Sequence, residues 1–171
     1  MSKLIINNVL RFLLLIVLQV MILNYVYLGG YVIPFIYILA IMMLPTRYGN
    51  IPLLLTAFAL GMLIDVFCNI PGFHAFCCTM MAFARIIIGN RMLTRDDPDA
   101  VIDTPSIFSV PFQTFASYAF VMSLVFCFAY GMVEAFSFGN FGMTFLAILI
   151  NTLTSWTLVM LSQMLITSKK K

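Results

Sequence analysis

Residues 61–75 read GMLIDVFCNIPGFHA and place an acid, Asp65, and the only histidine of the chain, His74, in strongly apolar sequence. The turn sequence NIPG separates the two side chains. An ionisable side chain at the centre of a membrane helix costs about 2.5–3.5 kcal/mol on insertion scales, and less near the membrane surface. The meaning of Asp65 therefore depends on its depth, which the flanking sequence predicts.

The composition predicts an integral membrane protein. Of the 171 residues, 63% are hydrophobic and 9% are charged, and the mean hydropathy is +1.09, which is more apolar than a soluble domain of this length. We expect an all-α, polytopic membrane helix bundle that forms a single transmembrane domain over residues 1–171.

Long apolar runs that are interrupted by turn residues predict six transmembrane helices. They lie at 9–28, 31–44, 52–67, 73–89, 112–133 and 143–166. The second to fourth runs are shorter than the roughly 20 residues that a straight helix needs to cross the hydrocarbon. They are either short helices with interfacial flanks or partly re-entrant segments.

The basic residues predict the orientation of the bundle. With six spans, one side of the membrane receives every Lys and Arg: Lys3, Arg11, Arg47, Arg85, Arg91, Arg95 and Lys169 to Lys171. The positive-inside rule then puts both termini in the cytoplasm. Asp65, His74 and Glu134 lie near the outer end of their helices, where burial of a charge is less costly.

Small residues and the acid share one face of the third predicted helix, because Ala57, Gly61 and Asp65 are spaced by four. Small residues let another backbone approach closely, so a neighbouring helix is expected to pack there. Two interpretations of Asp65 stay open. The carboxylate either caps the next helix or binds amides of the 68–72 turn, or it anchors a partner helix or the external loop.

Other polar residues predict packing rather than chemistry. His74, Cys78, Ala82, Arg85 and Gly89 form a stripe on the fourth helix that is expected to face other helices and to leave Arg85 at the cytoplasmic boundary. Asn151, Ser155 and Ser162, with Gln163, on the last helix and Gln19 on the first are expected to hydrogen-bond across helices. The acidic run at 96–103 is predicted to belong to a solvated loop over 90–111.

Neither metal binding nor catalysis has a strong signature. His74 and Asp65 could gather with Cys68, Cys77 and Cys78, but adjacent cysteines in a helix point about 100° apart. Sequence signatures of membrane metalloproteases, serine hydrolases and phosphate-binding loops are missing. The residues therefore give no enzyme signature, and we predict no catalytic residues, no cofactor and no metal. An intramembrane enzyme would rest on Asp65 and His74 alone.

The chain resembles the MreD family of bacterial rod shape-determining membrane proteins over nearly its whole length, in a version like those of Bacteroidota. The resemblance rests on Arg11 and Gln19, on 37–39 running into Leu44-Pro45, and most specifically on GMLID at 61–65 followed by PGFHA at 71–75. The fold is similar to the substrate-binding components of energy-coupling-factor transporters.

The resemblance implies a non-enzymatic scaffold of the cell-elongation (rod) complex in the bacterial cytoplasmic (inner) membrane. Its implied partners are MreC, then MreB, RodA and the penicillin-binding protein that works with RodA, together with membrane lipid but no nucleic acid. Ala57, Gly61, Asp65, Gly72 and His74 are the expected partner-binding or architectural residues. The alternative is a small-solute binding component of a transporter, with an outward pocket built from Asp65, His74 and Asn151.

Overall fold

In the computed structural model, which describes Gln19 and residues 33–94, 102, 104–135 and 141–168, the regular structure of the described residues is helical. The elements are α1 (Ile38–Met42), α2 (Asn50–Cys68), α3 (Phe73–Ala84), a π-helical turn (Arg85–Gly89), α4 (Asn90–Leu93), α5 (Phe112–Glu134) and α6 (Phe141–Ser168). The π-helical turn joins α3 and α4 into one continuous helix, Phe73–Leu93.

Four of these helices are long and apolar enough to cross a membrane: Asn50–Cys68, Phe73–Leu93, Phe112–Glu134 and Gly142–Leu165. They overlap the third to sixth predicted spans. The complete helices, including α6 at Phe141–Ser168, are one to four residues longer than the predicted spans. The first predicted span, 9–28, lies outside the described residues except for Gln19, which is helical.

The prediction of a transmembrane helix over 31–44 is wrong for the residues that the structure describes. Residues 33–36 are not helical, and α1 covers only Ile38–Met42. Pro34 explains the start of the break, because proline has no N–H and disfavours helical geometry in the residue before it. We call residues 33–44 the broken segment.

The broken segment lies inside the bundle. Helices α2 and α3 form an antiparallel hairpin, α3 packs on α5, α5 packs on α6, and α1 lies against α2, α3 and α5. The broken segment is buried from Pro34 to Leu44. Non-helical backbone is tolerated at membrane depth only where protein or a water-filled cavity surrounds it, and here protein surrounds it.

Polar and apolar side chains are distributed as in a membrane protein. Large exposed side chains on the long helices are apolar, such as Leu55 and Phe58 on α2 and Phe128 on α5. The buried polar side chains point inward, and they are Gln19, Asp65, His74, Arg85, Ser123, Asn151, Thr152, Ser155 and Gln163. This distribution is the one that a lipid solvent favours.

The loop before α5 differs from its prediction. Ile102, Pro105 and Val110 are buried, so this part of the loop docks on the bundle and is not solvated. Thr46 fixes it, since its N–H donates to the Ile102 carbonyl at 2.9 Å and its hydroxyl accepts from the Ile102 N–H at 3.1 Å. The acidic residues of the run at 96–103 lie outside the described residues.

Candidate functional site

The Asp65 carboxylate caps the N-terminus of the following helix. One oxygen accepts the His74 N–H at 2.8 Å, and the other accepts the Ala75 N–H at 3.0 Å. The residue at the usual capping position, Gly72, provides no side-chain bond to α3. An acid from the preceding helix therefore satisfies two amides that every helix start leaves without a partner.

The turn between α2 and α3 brings Asp65 to this position. The main-chain carbonyl of Asp65 accepts the N–H groups of Asn69 and Ile70, and this ends α2. Asn69 and Gly72 both have left-handed backbone, at φ 55° and φ 85°, which reverses the chain. One residue thus terminates α2 with its backbone and starts α3 with its side chain.

Gly61 lets the two helices approach. A Cβ atom at this position would lie 2.6 Å from the Ala75 nitrogen and 2.6 Å from the His74 carbonyl oxygen, which are both main-chain atoms. Ala57, one turn earlier, is fully buried. The predicted close packing on the Ala57–Gly61–Asp65 face is confirmed, and the neighbour is α3. We call Gly61, Asp65, Gly72, His74 and Ala75 the Asp65 joint.

The His74 side chain connects the Asp65 joint to the broken segment. Its Nδ1 lies 2.8 Å from the hydroxyl of Tyr37, and both side chains are buried. Rings of the broken segment, α3 and α5 pack around this pair with centroids 4.7–6.5 Å apart: Phe35, Phe73, Phe126 and Tyr130. Most of these pairs are edge to face or tilted, and Phe126 and Tyr130 are stacked; such arrangements are favourable for aromatic pairs.

Polar side chains from other helices form hydrogen bonds with the main-chain groups of the extended part of the broken segment. The Asn151 side-chain oxygen accepts the Ile33 N–H at 2.8 Å, and the Ser155 hydroxyl accepts the Phe35 N–H at 3.0 Å. Gln19 accepts the Ile36 N–H and donates to the Pro34 carbonyl, both at 3.0 Å. The predicted hydrogen bonding by Gln19, Asn151 and Ser155 is confirmed, and main-chain groups of the broken segment are among their partners.

Arg85 binds the far end of the broken segment. Its two terminal nitrogens donate to the carbonyls of Ile41 and Leu44, and the Tyr118 hydroxyl donates to the carbonyl of Met42 at 3.2 Å. A cation here meets the negative end of α1. We call Arg85, Tyr118 and these three carbonyls the Arg85 joint.

Arg85 faces the interior of the bundle, where only 1% of its side chain is exposed. Its Nε is buried without a hydrogen-bond partner. The stripe of His74, Cys78, Ala82, Arg85 and Gly89 is buried throughout, as predicted. The stripe was the available signal that Arg85 faces the interior.

The Asp65 and His74 side chains bind different groups of the protein. Among the described residues, no group of three or more His, Cys, Asp or Glu side chains could hold a metal ion. Both oxygens of Asp65 bind amides, and His74 Nδ1 faces Tyr37. The side chains of Asp65 and His74 thus have different partners, and Asp65 meets His74 only at its backbone.

Comparisons of the chain with protein-family models, with curated proteins and with solved structures find no match in any of the three.

Proposed function

We propose that this chain is a non-enzymatic scaffold of the MreD type in the bacterial cell-elongation complex. It binds the membrane helix of MreC, and through MreC it supports lateral peptidoglycan synthesis and the maintenance of cell shape. MreB, RodA and the penicillin-binding protein partner of RodA are its further partners. The proposal rests on the resemblance of residues 61–75 to that family.

One observation supports the non-enzymatic part of the proposal: the buried carboxylate of Asp65 has a structural role. The Asp65 oxygens accept two main-chain N–H groups, and Gly61 meets the main chain of α3. A carboxylate with both oxygens bonded to helix amides is poorly placed to act as a general base. It is well placed to fix the shape of the surface that the α2–α3 hairpin offers.

Six crossings with both termini in the cytoplasm remain part of the proposal. The broken segment supports it, because Ile33 bonds to Asn151 and Met43 receives a bond from Gln163 of the same helix. The segment therefore runs parallel to α6 over 12 residues of that helix, about 18 Å. The second and sixth of six crossings have this common direction.

Copurification tests the proposal directly. Tagged chain and MreC are produced together, extracted in mild detergent and captured, and the retained MreC is measured. We expect wild-type protein to retain MreC and Asp65→Asn to retain less, since the shape of the hairpin changes. Glu134→Gln is the matched control, because it removes an exposed acid at the same end of the bundle. Failure of the wild-type chain to retain MreC overturns the proposal.

The second candidate is a small-solute binding component of a transporter. The broken segment favours it, since transporters bind substrates at discontinuous helices near the bilayer midplane. However, Asp65, His74 and Asn151, which would form its pocket, already bind groups of the protein. Native mass spectrometry of the purified chain distinguishes the two candidates: a small molecule that is retained by wild-type protein and lost in Asn151→Leu supports the transporter component.

A further inference from the structure

The loop before α5 has one face in the bundle and an uncovered aromatic side chain on the other. Ile102 and Val110 are buried in the core, whereas Phe108 is 65% exposed. The first residue of α5, Phe112, is 59% exposed. Two large rings therefore point away from the protein within four residues of each other.

Hydrogen bonds hold Phe108 in this position. The Ser109 hydroxyl donates to the Thr104 carbonyl and accepts the Ser106 N–H, both at 2.8 Å. The Ser106 carbonyl in turn accepts the Ser109 N–H at 3.1 Å. Since the loop is also bonded to Thr46 through Ile102, the exposure of Phe108 is a property of a fixed turn.

The length of α5 gives the depth of this turn. Helix α5 has 23 residues and is therefore about 34 Å long, slightly more than the roughly 30 Å of hydrocarbon. Phe112 at its start thus lies near the boundary between acyl chains and headgroups, and Phe108 is one short turn away. The exposed cation Arg47, next to Thr46, is typical of the headgroup level.

We propose that Phe108 and Phe112 form an aromatic anchor in the bilayer interface. The turn 104–110 then lies among the lipid headgroups. Both rings reach the carbonyl end of the acyl chains, and the aqueous phase begins beyond the turn. The lipid-facing surface of α5 continues into this anchor through Phe112. Burial of the exposed aromatic surface in the interface stabilises the docked loop, and with it the packing of Ile102 and Val110 against the bundle.

Fluorescence quenching by brominated lipids tests the anchor. The only tryptophan, Trp156, is replaced by Phe, and a single reporter is introduced by Phe108→Trp. In phosphatidylcholine vesicles, we expect lipids brominated near the carbonyl end of the chain to quench this reporter about twofold more than lipids brominated near the methyl end. Leu153→Trp is the control; it is exposed in the middle of α6, and its order of quenching should be the reverse.

Two results overturn the anchor. Weak quenching by every brominated lipid, with strong quenching by aqueous acrylamide, means that the loop lies in water. Weak quenching by both kinds of agent means that another protein surface or a second copy covers Phe108. If the Trp156→Phe background does not fold, Phe108→Trp is measured in the wild-type chain as a difference from the Trp156 emission.

Discussion

The Asp65 joint and the Arg85 joint lie at different levels of the same bundle and stabilise buried charges of opposite sign. Each holds a buried charge, and within the described part of the chain each charge is bound by main-chain groups rather than by an opposite charge. Asp65 meets the positive start of α3, and Arg85 meets the negative end of α1. Helix ends thus replace counter-ions in this core.

The two joints differ in the distance along the sequence that they connect. Asp65 binds amides nine and ten residues away, across one tight turn. Arg85 binds carbonyls 44 and 41 residues away, across the whole of α2. The first joint can form as soon as two neighbouring helices meet, whereas the second requires the broken segment to be in its final place.

The largest expected effect concerns the steric basis of the Asp65 joint. Gly61→Ala should destabilise the protein by about 3 kcal/mol or more, because its new methyl group meets main-chain atoms of α3 that cannot rotate away. Gly72→Ala is the matched control. A Cβ atom at Gly72 would meet no other atom, but the backbone there has a left-handed φ of 85°, so we expect a loss of stability of about 1 kcal/mol. Thermal unfolding in detergent, followed by circular dichroism, measures both, and equal losses would contradict the role of Gly61 as a contact.

The second effect measures the Arg85 joint. Arg85→Met leaves the carbonyl of Leu44 without its partner in the core and should cost about 3 kcal/mol. Arg85→Lys keeps the charge but not the two-pronged donor, and it should cost about half as much. Unfolding in mixed SDS micelles gives both values. If Arg85→Met is as stable as wild type, then the desolvation of the guanidinium offsets its hydrogen bonds.

The same difference in sequence distance explains which features of the fold could be predicted. The last four spans follow from apolar length alone, and the face of Ala57, Gly61 and Asp65 follows from helical spacing. Capping by Asp65 was one of two open interpretations, because the amides that it binds follow it by only nine and ten residues. All of these features are encoded locally.

The broken segment and its partners could not be predicted in the same way. Its residues are as apolar as those of a spanning helix, so hydropathy gives its position but not its backbone. Only Pro34 indicates a break, and the side chains that make the break tolerable, Asn151, Ser155 and Arg85, come from distant parts of the chain. Polar residues on the last helix predicted hydrogen bonds, but their spacing does not identify main-chain partners.

The third effect tests whether the charge of Asp65 matters beyond its shape. Asp65→Asn keeps one acceptor oxygen but turns an amide NH₂ toward a main-chain N–H, so we expect a loss of about 1.5 kcal/mol. This is smaller than for Arg85→Met, because Asp65→Asn keeps one acceptor in the joint, whereas Arg85→Met removes both donors. Glu134→Gln should change the free energy of unfolding by less than about 0.5 kcal/mol. A loss for Asp65→Asn that exceeds the Arg85→Met loss would reverse the ranking of the two joints.

The smallest effect tests whether the two joints are energetically separate. Tyr37→Phe removes the hydroxyl at His74 Nδ1, and Tyr118→Phe removes the hydroxyl at the Met42 carbonyl; each should cost about 1 kcal/mol. Combined with Asp65→Asn, Tyr37→Phe should be non-additive by about 0.5 kcal/mol or more, because His74 contacts both partners. Tyr118→Phe with Asp65→Asn should be additive, since Tyr118 belongs to the other joint. Equal coupling in both cycles would mean that the broken segment transmits strain along its length, so that the bundle core responds as one unit.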